Sequence, residues 1–234
     1  MGEKKQGFLF VISGPSGTGK GSICEGLVGY YQVALSVSMT TRAPRENEEE
    51  GKSYFFVSKE KFEEEIANEG FYEYAEIYGE YYGTPKKPVI AMLEKGYDVI
   101  LEIDVKGAVQ IKEQVPEAVL IFIMPPSPEE LKRRIEGRGT ETPERIQRRL
   151  ERADSEIAQV GKYDFCVVND NLKKAIKEVR MIMKSEAFFE NFKDNFDESG
   201  FYSPLMRNAI RKAQKFRVGD NQEKIIERYN VGKI

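Results

Sequence analysis

Between positions 14 and 22 the chain reads Gly14-Pro15-Ser16-Gly17-Thr18-Gly19-Lys20-Gly21-Ser22, a glycine-rich run that closes on a lysine and a small hydroxyl. Glycines allow a backbone to curl until successive N–H groups point at one anion, and the lysine adds a full cation on a long stem. The chemistry open to this set is the holding of a polyphosphate, with Lys20 on its β- and γ-phosphates. Gly21 stands where serine or threonine usually follows the lysine, so Ser22 is the nearest hydroxyl that can reach Mg²⁺. The competing reading is a glycine and serine loop without function. An apolar strand before the run and a helical segment after it, in the order that a phosphate loop needs, weigh against that.

Two further groups of side chains suit phosphate. Ser38-Met-Thr-Thr-Arg42-Ala-Pro-Arg45, followed by Gly51-Lys-Ser-Tyr54, sets two forked guanidinium groups and two hydroxyls in one region, as a receptor for a phosphate monoester requires. Farther on, Arg134, Arg138, Arg145, Arg148, Arg149 and Arg152 flank the loop Gly137-Arg-Gly-Thr140. Several of them at helical spacing project to one side, which is either a solvated face or a cation cluster that closes over a polyphosphate. Glu73 lies in the aromatic run Phe71-Tyr-Glu-Tyr-Ala. A carboxylate there that accepts two parallel N–H bonds selects guanine through N1–H and the exocyclic amine, and Thr84 has a hydroxyl to offer O6. Ile100-Leu-Glu102-Ile-Asp104 ends an apolar strand in a carboxylate that can act on Mg²⁺ directly or through water, although strands also end in Asp merely to begin a turn.

These side chains need a frame, and the hydrophobic pattern supplies one. The runs FLFVI (8–12), DVILEID (98–104), AVLIFIM (118–124) and FCVVN (165–169) are short, apolar and non-alternating, as strands buried on both faces of a parallel sheet are. Helical patterns occupy about 19–30, 107–114, 128–136, 143–160 and 171–190, with Ser127 and Thr142, each followed by proline, as N-caps. The expected fold is α/β, a P-loop NTPase-type parallel sheet flanked by helices. Residues 38–95 interrupt it with a strand KSYFFV, a helix EKFEEEIANEG and aromatic strands, the texture of an inserted small α+β domain. The expected organisation is a core of 1–37 and 96–190 with a helical lid at about 134–152, the insertion at 38–95, and a C-terminal extension at 191–234.

Composition excludes several classes. In 234 residues there is no histidine, which removes the usual neutral-pH acid or base and the commonest zinc ligand. No stretch approaches a membrane span and the N-terminus lacks a leader-like apolar core, so the expectation is a cytoplasmic protein with no membrane partner. The two cysteines, Cys24 and Cys166, read as small buried hydrophobes. Net charge is only −3, yet twelve glutamates face three lysines between Glu46 and Glu80, while Arg133 to Arg152 holds seven arginines. From Leu205 onward eight Lys/Arg stand against three Asp/Glu with scattered apolar anchors. That tail is read either as a terminal helix packed on its own core or as a basic helix for the acidic insertion, another subunit or nucleic acid. Oligomeric state is left open, and a nucleic-acid partner is not expected.

As a set and in order, GPSGTGKGS, SMTTRAPR, GKSYFFV, EYAEIYGEYYGT, LEIDVKG, RRIEGRGTETPERIQRRL and VVND resemble the guanylate kinase family of P-loop nucleoside monophosphate kinases, from about Gly7 to about residue 190. The resemblance implies transfer of the γ-phosphoryl of ATP to GMP and dGMP with Mg²⁺. It implies ATP phosphates on Gly14 to Ser22 with Asn169 near the adenine, and GMP on Ser38, Arg42, Arg45, Glu48, Tyr54, Glu73, Tyr82, Thr84 and Asp104. It implies Lys20, Arg134, Arg138 and Arg149 at the transferring phosphoryl, and Mg²⁺ on Ser22 with Glu102 or Asp104 through water. Lys106 departs from the family, which usually has Gln there. Two rivals remain: a guanylate-kinase-like module that binds phosphorylated protein segments without catalysis, and a P-loop kinase for another phosphorylated acceptor. The intact loop with Lys20 argues against the first, and Glu73 against the second.

Overall fold

The computed structural model describes residues 6–30, 32–77, 79–137, 143–192 and 213–230. Elements are numbered in chain order. Strand β1 (Leu9–Ser13) runs through both of the compact units into which the chain divides. Residues up to Val11 with Val28–Ala118 form the first, and Ile12–Leu27 with the residues from Val119 onward form the second.

In the first unit β2 (Val33–Leu35), β7 (Asp98–Glu102) and the start of β1 lie in the sheet order β2-β7-β1. β2 and β7 are parallel, with Val33 opposite Asp98 and Leu35 opposite Ile100. Val99, Ile100 and Leu101 are fully buried, which explains the unbroken apolar run. Helix α4 (Val105–Gln114) follows, and its N-cap is Asp104, whose Oδ1 accepts the Gly107 N–H at 2.9 Å. The same unit holds a four-stranded sheet in the order β4-β3-β6-β5, made of β3 (Met39–Thr40), β4 (Phe55–Phe56), β5 (Phe71–Ile77) and β6 (Glu80–Pro85). Helix α2 (Lys59–Ala67) covers it, with Phe62 stacked on Phe71 at 4.4 Å and on Tyr81 at 5.2 Å.

A register shift between Phe71 and Glu73 lets both Phe71 and Tyr72 face inward, which strict alternation forbids, and leaves Glu73 paired with Thr84. Helix α3 (Lys86–Glu94) was not foreseen, because Pro85 and Pro88 punctuate its start. Pro85 is the N-cap and Pro88 falls in the first turn, where a missing N–H costs no helical bond.

In the second unit the end of β1, β8 (Val119–Met124) and β9 (Phe165–Val168) follow the order β1-β8-β9, and β8 and β9 are parallel with Ile121 opposite Phe165. Helix α1 (Lys20–Leu27) packs on α7 (Leu172–Phe192), where Gly26 admits Ile176. Helix α5 (Pro128–Glu136) starts on the Ser127 cap, whose hydroxyl accepts the Glu130 N–H at 3.3 Å. Helix α6 (Pro143–Ile157) packs on it through Leu131, Ile135 and Ala153, with Ile146 and Leu150 at the margin. The cap expected at Thr142, and Arg138 with its loop, lie outside the described residues. A 3₁₀ turn (Val160–Lys162) leads to β9. Near the C-terminus a second one (Gly219–Asn221) precedes α8 (Gln222–Asn230). Cys24 and Cys166 are buried and not joined in a disulfide, and burial pushes the Cys166 thiol up to about 12.

Candidate active site

The sequence determines a tight turn after β1. Gly14 has φ +141° and any Cβ there would lie 2.3 Å from the Ile123 carbonyl oxygen of β8, so only glycine fits. Gly19 has φ +86° and lies against Asn169, whose Nδ2 would be 2.6 Å from a Cβ. The Lys20 ammonium lies over the turn and donates to the carbonyls of Gly14 at 2.6 Å and Pro15 at 3.0 Å. Pro15 also accepts the buried Thr18 hydroxyl at 2.9 Å. A cationic head over a curl of backbone at the N-terminus of a helix is an anion site, and the cradle leaves no room for side chains where a phosphate must approach. Ser22 is exposed in the first turn of α1.

Asn169, at the end of β9, does more than border this site. Its Nδ2 donates to the Thr18 carbonyl at 2.8 Å, and its own carbonyl accepts from the Arg134 guanidinium at 2.9 Å. Arg134 also donates to Glu130 at 2.7 Å, and Arg133 with Arg134 holds the Glu130 carboxyl at about 2. Arg134 and Arg149 are half-buried, whereas Arg145, Arg148 and Arg152 are exposed. No residue spacing announced that Asn169 would join the phosphate turn to an arginine helix.

The first unit holds a cavity of about 250 Å³ lined by Ser38, Tyr54, Glu73, Tyr82, Glu102 and Asp104 among others. Arg42 reaches its rim by donating to the Tyr82 hydroxyl at 3.2 Å, and its guanidinium stands 5.6 Å from the Tyr54 ring centre. Glu48 grips Arg42 with two bonds of 2.9 Å and also accepts the Arg45 N–H at 2.8 Å. Arg42 is thereby held in one plane and its pKa raised, first by the Glu48 bond. The Arg45 side chain is exposed.

Thr84, fully buried, donates its hydroxyl to Glu73 Oε1 at 2.7 Å and so fixes the carboxylate. Gly107 backs it, since a Cβ there would lie 3.0 Å from Oε2. Burial pushes the Glu73 carboxyl up to about 7; the Thr84 bond opposes the shift and the Asp104 charge adds to it. Asp104 therefore both caps α4 and lines the cavity. Lys106 is exposed in the first turn of α4.

The oxygen donors that the sequence named for a metal belong to different units, the Ser22 hydroxyl to the second and the Glu102 and Asp104 carboxylates to the first. Among the described residues no group of three His, Cys, Asp or Glu side chains gathers. Oxygen donors of this kind suit Mg²⁺, which keeps several waters and takes ligands from substrate phosphates.

The parallel α/β sheet with a glycine-rich turn and Lys20 after its first strand defines a P-loop NTPase-like protein. A family model described as guanylate kinase matches residues 6–186. Guanylate kinase of Clostridium acetobutylicum is 50% identical over 196 residues, 83% of this chain and 94% of that one. The Clostridium tetani guanylate kinase is 54% identical over 182 residues, 78% and 88% of the two chains. The crystal structure of guanylate kinase from Anaplasma phagocytophilum superposes with a TM-score of 0.64 at 35% identity and covers 79% of this chain and 88% of that one. The chain belongs to the guanylate kinase family and carries guanylate kinase function: it is a nucleotide-binding transferase of the kinase type.

Proposed function

We propose that the chain transfers the γ-phosphoryl of ATP to GMP and dGMP, giving ADP and GDP or dGDP, in cytoplasmic purine nucleotide metabolism. The observation that carries this is Glu73, half-buried and fixed by Thr84 in a cavity whose rim holds Arg42, Ser38, Tyr54 and Tyr82. The rim group takes the monophosphate, with Arg45 added and Glu48 keeping Arg42 flat for bidentate contact. Glu73 accepts guanine N1–H and the exocyclic amine, Asp104 adds a second acceptor, and Thr84, whose one hydroxyl proton goes to Glu73, orients that carboxylate instead of donating to O6 as its place in the sequence suggested. The turn Gly14 to Ser22 takes the ATP phosphates, with Asn169 bordering the adenine side. We assign residues 38–95 to GMP binding, 1–37 and 96–190 to the core with a lid at about 134–152, and 191–234 to an extension.

Because the second pKa of a phosphate monoester is about 6, the acceptor is largely dianionic at neutral pH and needs no general base, which agrees with a chain lacking histidine. What remains is alignment and charge neutralisation. Lys20, Arg134, Arg138 and Arg149 place positive charge around the phosphoryl that moves. Ser22, with Glu102 or Asp104 through water, would hold Mg²⁺, which would neutralise charge on the polyphosphate.

Titration calorimetry tests the acceptor site directly: GMP binds the wild-type protein and AMP does not, and equal affinity for both refutes the reading. Arg149→Ala is expected to lower kcat by about 10²-fold or more while the Kd for GMP stays within about twofold, because a group that acts on the transferring phosphoryl contributes to the transition state rather than to acceptor binding. A rise in Kd with kcat unchanged would move Arg149 to the acceptor.

A pH dependence follows from Glu73. Guanine needs its charged form, whereas its pKa near 7 favours the neutral form below that value. The KM for GMP should therefore climb as pH falls from above 7 toward 5.5, while the KM for ATP stays nearly flat. For folding the sign is opposite: a carboxyl raised above its ordinary value stabilises the fold at low pH, and that contribution is lost as pH rises through about 7. In Glu73→Gln the part of the step near 7 should vanish and only that of the GMP phosphate, near 6, should remain; a ratio that keeps the step near 7 would put that titrating group elsewhere.

A further inference from the structure

Past the family match, which ends at residue 186, the described part of the tail closes the open edge of β9. The Cys166 N–H donates to the Phe216 carbonyl at 2.7 Å, the Val218 N–H donates to the Asp164 carbonyl at 3.0 Å, and Phe165 and Arg217 form an antiparallel bridge. The Arg217 guanidinium stands 4.8 Å from the Phe165 ring centre and donates to both Glu186 oxygens at 3.0 and 3.1 Å. Ala213, Val218 and Tyr229 are almost wholly buried. An exposed strand edge is a liability, and here backbone pairing and apolar anchors cover it.

The same segment reaches the root of the arginine helices. Gln222 covers Gly161 in the turn after α6, where a Cβ would lie 2.3 Å from its Oε1. Tyr229 is pushed up to about 12 by burial and by the charges of Asp154 on α6 and Glu129 on α5. β9 then passes the constraint on, since Asn169 at its end holds the Thr18 carbonyl with its side chain and Arg134 with its carbonyl.

We propose that Ala213–Tyr229 is a positioning strut for phosphoryl transfer: by fixing the edge of β9 and the root of α5 and α6, it sets the placement of Arg134 relative to the phosphate turn. This rests on the roles proposed above for the turn and the arginines. None of its residues is among those proposed above to hold substrate, so the segment acts through Asn169 and the helices.

The test uses the full chain with Val218→Asp, which forces a carboxylate into a fully buried place and undocks the segment. Arg217→Ala is the milder second variant if the first does not fold. In the wild-type protein the Cys166 amide should exchange slowly, and in the variants about tenfold or more faster. At a temperature well below melting, kcat should fall about 3- to 30-fold, the span of coupling carried by residues remote from a ligand, while the Kd for GMP stays within about twofold. A merely structural segment would lower the melting temperature and leave kcat alone. A Cys166 amide already fast in the wild type, or an unchanged kcat once that amide is freed, overturns the proposal. Amide exchange reads docking without turnover, so absence of GMP phosphorylation by a wild-type protein with a slow Cys166 amide would count against the function and not against the docking.

Discussion

Lys20→Ala is expected to lower turnover by at least about 10³-fold with the fold intact, the scale on which cations act at sites of phosphoryl transfer. The structure gives two reasons for so large an effect. Lys20 is the one cationic side chain within residues 14–22, and its ammonium already lies over the turn on the Gly14 and Pro15 carbonyls, beside the place proposed for the β- and γ-phosphates. The fold should tolerate the change, because Lys20 is only half-buried and the turn keeps the Thr18 to Pro15 and Asn169 to Thr18 bonds. Circular dichroism and melting serve as the control. Near-wild-type turnover in a folded Lys20→Ala protein would remove the phosphate-loop assignment.

The second large effect is expected at Glu73. Glu73→Gln keeps the size of the side chain and an acceptor for Thr84, but it turns an amide N–H toward a guanine N–H in a buried place. Two donors then face each other with no water to relieve them. Unsatisfied buried groups cost about 1–3 kcal/mol each, so kcat/KM for GMP should fall by about 10² or more while the KM for ATP is unchanged. An equal loss on both substrates would mean that the variant perturbs folding rather than base reading.

How much of this was legible in the chain depends on the range of the interaction. β1, β8 and β9 announced themselves as apolar runs because both faces of a parallel sheet are covered, and α5 announced its start through Ser127 and Pro128. α3 did not, since prolines at 85 and 88 read as a break until one sees that they occupy the cap and first turn. Strands β2 and β3, of three and two residues, carry too little pattern for any periodicity to show. In the cavity, Ser38, Arg42, Tyr54 and Glu73 were named from the residues and Tyr82 from the family resemblance, and the structure brings them to one place. What single residues do not reveal is who holds whom. Glu48 gripping Arg42, Thr84 spending its proton on Glu73, and Asn169 tying Thr18 to Arg134 are pairings across 6, 11, 151 and 35 residues, decided by packing rather than by local pattern. The tail was ambiguous for the same reason. Its basic composition fits several partners, and only its bonds to Cys166 and Asp164 show that residues 213–230 dock on their own unit.

The most direct test of the central claim is ADP release by the wild-type protein with ATP, Mg²⁺ and a panel of acceptors, each product identified by mass. GMP and dGMP should be converted to their diphosphates with kcat/KM about 10⁴-fold above AMP, CMP and UMP, the discrimination that a site built on substrate hydrogen bonds can reach. Comparable turnover of AMP, or ADP release that no acceptor stimulates, would contradict the account.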